Sequence, residues 1–199
     1  MSQEIKARAK FRSALLTVAF LAGLMVLTFK SGPTKAWAHV VPNPCDFTTG
    51  GGWVIADDGA KVNFGIVGGC KNDGFYGHVN IVSHSTPGGH LNGEVTAYFD
   101  PFPGGPSGYR DLCGIGTLQD GSTVRFRVRT KDNGEPGGLD RFGVKIPGYI
   151  LSVRELGPLG PDGGGGNIQL HKPNPSNTGP ATPPSDLVEC GGDDSGLGM

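Results

Sequence analysis

Four cysteines, two closely spaced histidines, an oxygen-rich loop and a row of arginines are the groups in this 199-residue chain whose types and spacing could do chemistry. Cys45, Cys70, Cys113 and Cys190 contain no close Cys-x-x-Cys pair of the kind that zinc or redox chemistry asks for, and an even count fits two disulfides. Cys70 and Cys113 each border a predicted strand, so we expect them to be bonded inside a sheet. Cys45 with Cys190 would then clip the two ends, unless Cys190 stays free or cross-links another chain. His84 and His90 flank Ser85-Thr86-Pro87-Gly88-Gly89, a length that suits a hairpin loop. Side chains directly opposed across such a hairpin sit about 5 Å apart at Cβ, close enough to share a metal or another ligand. A third metal ligand is lacking, since His78 on the same face would lie ~20 Å from His84 along an extended strand.

Asp132, Asn133, Glu135 and Asp140 gather several oxygen ligands in one loop, and such loops in exported proteins can hold calcium. The same residues also describe a plain turn: Asn133-Gly134 supplies positive backbone dihedrals, Pro136 delays the next strand, and Asp140 is free to pair with Arg141 or Lys131. Arg125, Arg127 and Arg129 alternate with Val124, Phe126 and Val128. In a strand this puts the guanidinium groups on one face, expected to be solvent-exposed, where Arg141 and Lys145 on the next strand would extend the row. Such a stripe suits acidic polysaccharide or phosphate, although charged outer faces also serve simply to keep sheets from stacking. No complete catalytic set emerges. Gly163–Gly166 lacks the Lys-Ser or Lys-Thr of a phosphate-binding loop and leads into a strand, and Ser107 fails the spacing of a nucleophile elbow.

The elements that would position these groups are strands. Alternating apolar residues recur at Val62/Phe64/Ile66, Val79/Ile81, Val95/Ala97/Phe99, Val124/Phe126/Val128, Phe142/Val144/Ile146 and Ile168/Leu170, with shorter candidates at Trp53–Ile55, Leu112–Leu118 and Ile150–Arg154. Residues rich in Gly and Pro separate them. This predicts an all-β domain over residues 39–172, an antiparallel β-sandwich or small barrel of about eight or nine strands. Residues 1–38 read as an export signal: a basic leader (Lys6, Arg8, Lys10, Arg12), an apolar run from Ala14 to Phe29, and the small-x-small site Ala36-Trp37-Ala38. Residues 173–199, rich in Pro and Gly, read as a flexible tail. The leader holds six of the 17 basic residues but one of the 18 acidic ones. The remainder is therefore acidic, which disfavours a nucleic-acid partner.

Several short motifs, in order, resemble the post-COAP domain family of secreted bacterial proteins. They are Thr49-Gly50-Gly51-Gly52-Trp53, Asn63-Phe64-Gly65, Gly77-His78, His84, Asp132-Asn133-Gly134-Glu135-Pro136-Gly137 with Asp140 and Phe142, and Gly164 to His171. The resemblance spans about residues 45 to 172 and implies a compact β-domain, with no catalytic residue or activity to carry over. This chain departs from it at Ser83, where family members tend to have Asp before the histidine, and in an inserted loop from Asp100 to Tyr109.

The function these features suggest is extracellular binding or adhesion by a non-catalytic domain, with a cell-surface glycan or protein as partner. No cofactor is required, and no membrane association is expected after signal cleavage. A calcium-stabilised structural module is the alternative, and a hydrolase with an unrecognised site the third reading.

Overall fold

Nine strands follow one another along the chain in the computed structural model, which describes residues 38–84, 89–157 and 163–199. They are β1 (Phe47–Ile55), β2 (Lys61–Lys71), β3 (Gly74–Ser83), β4 (Gly89–Phe99), β5 (Tyr109–Leu118), β6 (Thr123–Lys131), β7 (Arg141–Ile146), β8 (Tyr149–Glu155) and β9 (Gly164–His171). One short helix, α1 (Asp186–Glu189), lies near the C-terminus. The proposed export signal falls almost wholly outside the described residues.

All pairings are antiparallel, in the order β8-β7-β6-β5-β4-β3-β2-β1-β9. Eight strands thus form a meander, and β9 returns to the far side of β1. The sheet curls into a nearly closed barrel, so the all-β expectation holds. Apolar residues at alternate positions fill its interior: Val62, Phe64 and Ile66 of β2, Val79 and Ile81 of β3, Phe126 and Val128 of β6, and Phe142 and Val144 of β7 are all buried. Phe64 and Phe142 stack across the interior with ring centroids 3.9 Å apart. The large rings fit a narrow barrel because their neighbours are small. A Cβ at Gly93 or Gly114 would collide with the ring of Phe126.

A seam separates β8 from β9, and the β6–β7 loop closes it. Asp140 accepts hydrogen bonds from the backbone N–H of Ile168 (2.7 Å) and of Asn133 (2.8 Å), and Asp132 accepts one from Leu170 N–H (2.8 Å). The carboxylates therefore satisfy donors on the free edge of β9 that no strand supplies with partners. Burial raises the Asp140 carboxyl above the usual carboxylate range, outweighing these two bonds, and the neighbouring charges of Asp132 and Glu135 add to the rise.

The disulfides are Cys45–Cys70 and Cys113–Cys190, which corrects the expected pairing. Cys70 shares the inward parity of Phe64 and Ile66, whereas Cys113 shares the outward parity of Asp111 and Ile115, so a bond between them would have to cross the sheet. Cys45 just precedes β1, whose register sets Phe47 opposite Gly69 and so brings Cys45 beside Cys70. A second correction concerns β4. A register shift between Val95 and Ala97 leaves Val95 inside the barrel but turns Ala97 and Phe99 outward, where they pack with Cys113 and Cys190 in a small second core.

That second core lies beneath the C-terminal segment. Residues 173–199, expected to be a flexible tail, belong to the same compact unit as the strands, Trp37–Met199. Leu197 is fully buried, and its carbonyl accepts a 2.7 Å hydrogen bond from Val153 N–H on β8. Composition alone gives no sign of this, because the anchoring is by a disulfide, ion pairs and backbone bonds rather than by an apolar stripe.

Candidate functional site

The outer surface of the barrel divides into a covered half and an open half. The covered half holds the arginine row. Its register is as expected, with Phe126 and Val128 buried on the inner side, but Arg127 and Arg129 are 0% and 1% exposed rather than solvated. Asp111 of β5 lies between them, accepting from Arg127 at 2.9 Å and from Arg129 through two bonds of 2.8 Å. The C-terminal segment supplies the rest. Arg129 donates to Asp194 (2.8 Å) and to the Gly198 carbonyl (2.9 Å), Arg127 donates to the Gly192 carbonyl (2.9 Å), and Arg125 pairs with Glu189 (2.8 Å). Lys145 bonds Asp193 at 2.9 Å, and the His39 ring is lodged between Arg127 and Asp186. Burial alone would lower the proton affinity of Arg129, but its bonds to Asp111 and Asp194 raise it above the ordinary value. Burial likewise pushes the Asp194 carboxyl up, and the bond and charge of Arg129, with His39 and Arg127, more than reverse this. The basic stripe is thus closed to an acidic ligand by the chain's own carboxylates.

The open half is the outer face of β9, β1, β2, β3 and β4. Cross-strand register aligns Asn167, Gly51, Gly65, Asn80 and Asn92 in a single row across these five strands. With adjacent strands about 4.8 Å apart, Asn167 and Asn80 stand ~14 Å apart with two glycines between them, which makes a shallow trough. No side chain rises from its floor, and a Cβ at Gly65 would meet open space. The next row holds Trp53, Asn63, Val82 and His90. Trp53 is half-buried, its ring against Gly165, with Lys61 Nζ 4.6 Å from its centroid.

The two candidate histidines both lie on this face but do not oppose one another. Ser83 pairs with Gly89, which places His84 beyond the end of β3 and His90 opposite Val82. Each ring instead shares a hydrogen bond with an asparagine amide: His84 Nε2 with Asn63 Nδ2 (3.4 Å) and His90 Nε2 with Asn80 Nδ2 (3.1 Å). Thr49 and His171 are coupled in the same way at 2.8 Å. The face is therefore rich in amide, imidazole and hydroxyl groups, with Lys61, Lys71 and Glu94 its strand-borne charges. Trp53 and the asparagines escaped the sequence reading. The available signal was that the polar positions of β2, β3 and β4 carry Asn63, Asn80 and Asn92, where a merely solvated face would use charged residues.

The proposed calcium loop is occupied otherwise. Besides the seam bonds of Asp132 and Asp140, Glu135 accepts from Asn167 Nδ2 (2.9 Å) and Asn133 Nδ2 donates to the Leu139 carbonyl. Among the described residues no group of three or more His, Cys, Asp or Glu is placed to hold a metal ion. The carboxylate oxygens of Asp132, Glu135 and Asp140 serve backbone and amide donors, while Asn133 donates through its side-chain amide. Comparison with protein-family models, with curated proteins and with solved structures finds no match for the chain.

Proposed function

We propose that the chain works outside the cell as a non-catalytic binding domain whose open face takes a short, neutral oligosaccharide of a cell surface. The observation that carries this reading is the aligned row Gly51, Gly65, Asn80 and Asn92, bounded at β9 by Asn167 where the β6–β7 loop packs over it, with Trp53 and Asn63 beside the row. Sugar hydroxyls both donate and accept hydrogen bonds, and primary amides answer both roles at one side chain. The Trp53 indole offers a flat apolar surface for the C–H face of a sugar ring. A neutral ligand is favoured because the arginines that would grip an acidic one are sealed under the C-terminal segment. Two disulfides fit an oxidising compartment, as does the export signal read from the leader.

The test is a glycan array followed by calorimetric titration of the best neutral hit. Trp53→Ala and Asn80→Ala should each weaken binding about tenfold or more, on the scale of a lost hydrogen-bonding or stacking contact in a recognition site. Their melting temperatures should stay near that of the parent, and Arg125→Ala should bind normally. Hits confined to acidic glycans, or full binding by both variants, would overturn the proposal.

A further inference from the structure

The two ends of the barrel are finished in different ways. At one, a polar network fills the interior: Tyr98 Oη donates to Asp46 at 2.8 Å, lies 2.9 Å from Thr48 Oγ1, and Arg110 Nε donates to the same Asp46 oxygen at 2.9 Å. Tyr98 is fully buried, and burial followed by the Asp46 charge pushes its hydroxyl well above the usual phenol range. That end is plugged.

At the other end the side chains leave a cavity of about 230 Å³. Its wall is apolar, formed by Ile81 of β3, Leu91 of β4, Leu118 of β5 and Val144 and Ile146 of β7. Ser83 Oγ and Tyr149 Oη also line it, 3.5 Å apart. Among the described lining residues there is no carboxylate, ammonium or guanidinium group, and the one imidazole, His90, shares a hydrogen bond with Asn80. The space opens to solvent at the barrel end, so an apolar occupant would take the place of water against an apolar wall and gain dispersion contacts there.

We propose that this cavity is a binding site for a small uncharged amphiphile, an apolar body of one or two rings or a short chain with a single hydroxyl or carbonyl group. Size follows from volume: apolar cavities of about 150 Å³ accept benzene, so 230 Å³ suits a body of about ten non-hydrogen atoms. Charge follows from the wall, which would leave an ionic head desolvated and unpaired. Orientation follows from the two hydroxyls, which give the polar group of the ligand a donor and an acceptor on one side of an otherwise apolar space. The site adjoins the open face at His90, which borders both, but it opens at the end of the barrel and does not depend on the oligosaccharide reading.

Naphthol, naphthalene and naphthalene sulfonate share one apolar body and differ in the polar group, which makes them suitable probes. In NMR titrations of the full secreted chain with labelled methyl groups, naphthol should bind saturably with a dissociation constant on the order of 100 µM, the range open to a ligand of this size. The methyl signals of Ile81, Leu91, Leu118 and Ile146 should move, and naphthalene sulfonate should leave them unmoved at equal concentration. Tyr149→Phe keeps the ring and its packing. It should weaken naphthol about three- to tenfold, the worth of one net hydrogen bond, while naphthalene binds both forms alike. Shifts that do not saturate, that fall outside the cavity, or that Tyr149→Phe leaves unchanged for naphthol would overturn the assignment.

Discussion

At the level of single residues, Arg129 and Arg125 stand four positions apart on one face of one strand and differ in almost everything that decides their energetics. Arg129 is buried, holds Asp111 through two bonds and Asp194 through a third, and lies 4.9 Å from the ring of Phe102. Removing it strands the fully buried Asp111 with half its partners, so Arg129→Ala should cost about 3 to 5 kcal/mol. Arg125 is about one-third exposed and pairs with a partner that also reaches solvent, so Arg125→Ala should cost ~1 kcal/mol or less. Urea denaturation of both variants checks this, and similar losses at the two positions would refute the burial described for the row. The alternation of arginine with valine and phenylalanine was legible as a strand, and its inner face was assigned rightly. What covers the outer face was not legible, because its partners lie over fifty residues away in a segment of unremarkable composition.

Strands and loops show the same division between local and distant information. Strand positions could be read because each carries its own two-residue period, and the β1–β2 hairpin even sets Cys45 beside Cys70. The bulge in β4 could not, since nothing in Val95, Thr96, Ala97 and Phe99 announces that the last two turn outward. The β6–β7 loop was read rightly as acidic and turn-forming, but its carboxylates had no visible object until β9 came to lie beside them. Asp140→Ala would leave the Ile168 and Asn133 N–H groups without their acceptor, and a loss of about 1 to 3 kcal/mol is expected, chiefly from the buried Ile168 bond. Hydrogen exchange should locate the damage, with Ile168 and Leu170 amides losing protection before those of β5 and β6. Uniform loss across the sheet would count against a latch that acts at the seam.

For the molecule as a whole, acid is the informative perturbation. The bonds that Asp193 makes with Lys145 and Ser195 hold its carboxyl below the usual range, and Asp194, despite the opposing effect of burial, is held low by Arg129. Groups depressed on folding stabilise the native state above their unfolded value, near pH 4, and that stability is lost as pH falls through their folded values. Asp140 is raised and acts with the opposite sign: its ionised form is disfavoured on folding, so it favours the native state below pH ~4 and loses that advantage as pH rises through its folded value. Stability should therefore fall steeply on acidification below pH ~4, as the C-terminal carboxylates lose their hold on the basic row, and Asp194→Asn should flatten that fall. Denaturation midpoints from pH 7 down to pH 2.5 would show it, and an unchanged slope in the variant would contradict the role given to Asp194. The return of β9 to β1 also has a consequence in time. Seven of the eight strand pairings join strands consecutive in the chain, whereas Phe47 meets His171 across more than a hundred residues of chain. Local hairpins close quickly and distant contacts slowly, so the meander should assemble first and the last strand dock late. The two disulfides, with sequence separations of 25 and 77, mark the two stages. During oxidative refolding of the reduced chain, acid-quenched samples should contain Cys45–Cys70 alone before Cys113–Cys190 appears, and the reverse order would mean that the C-terminal segment guides assembly instead of completing it.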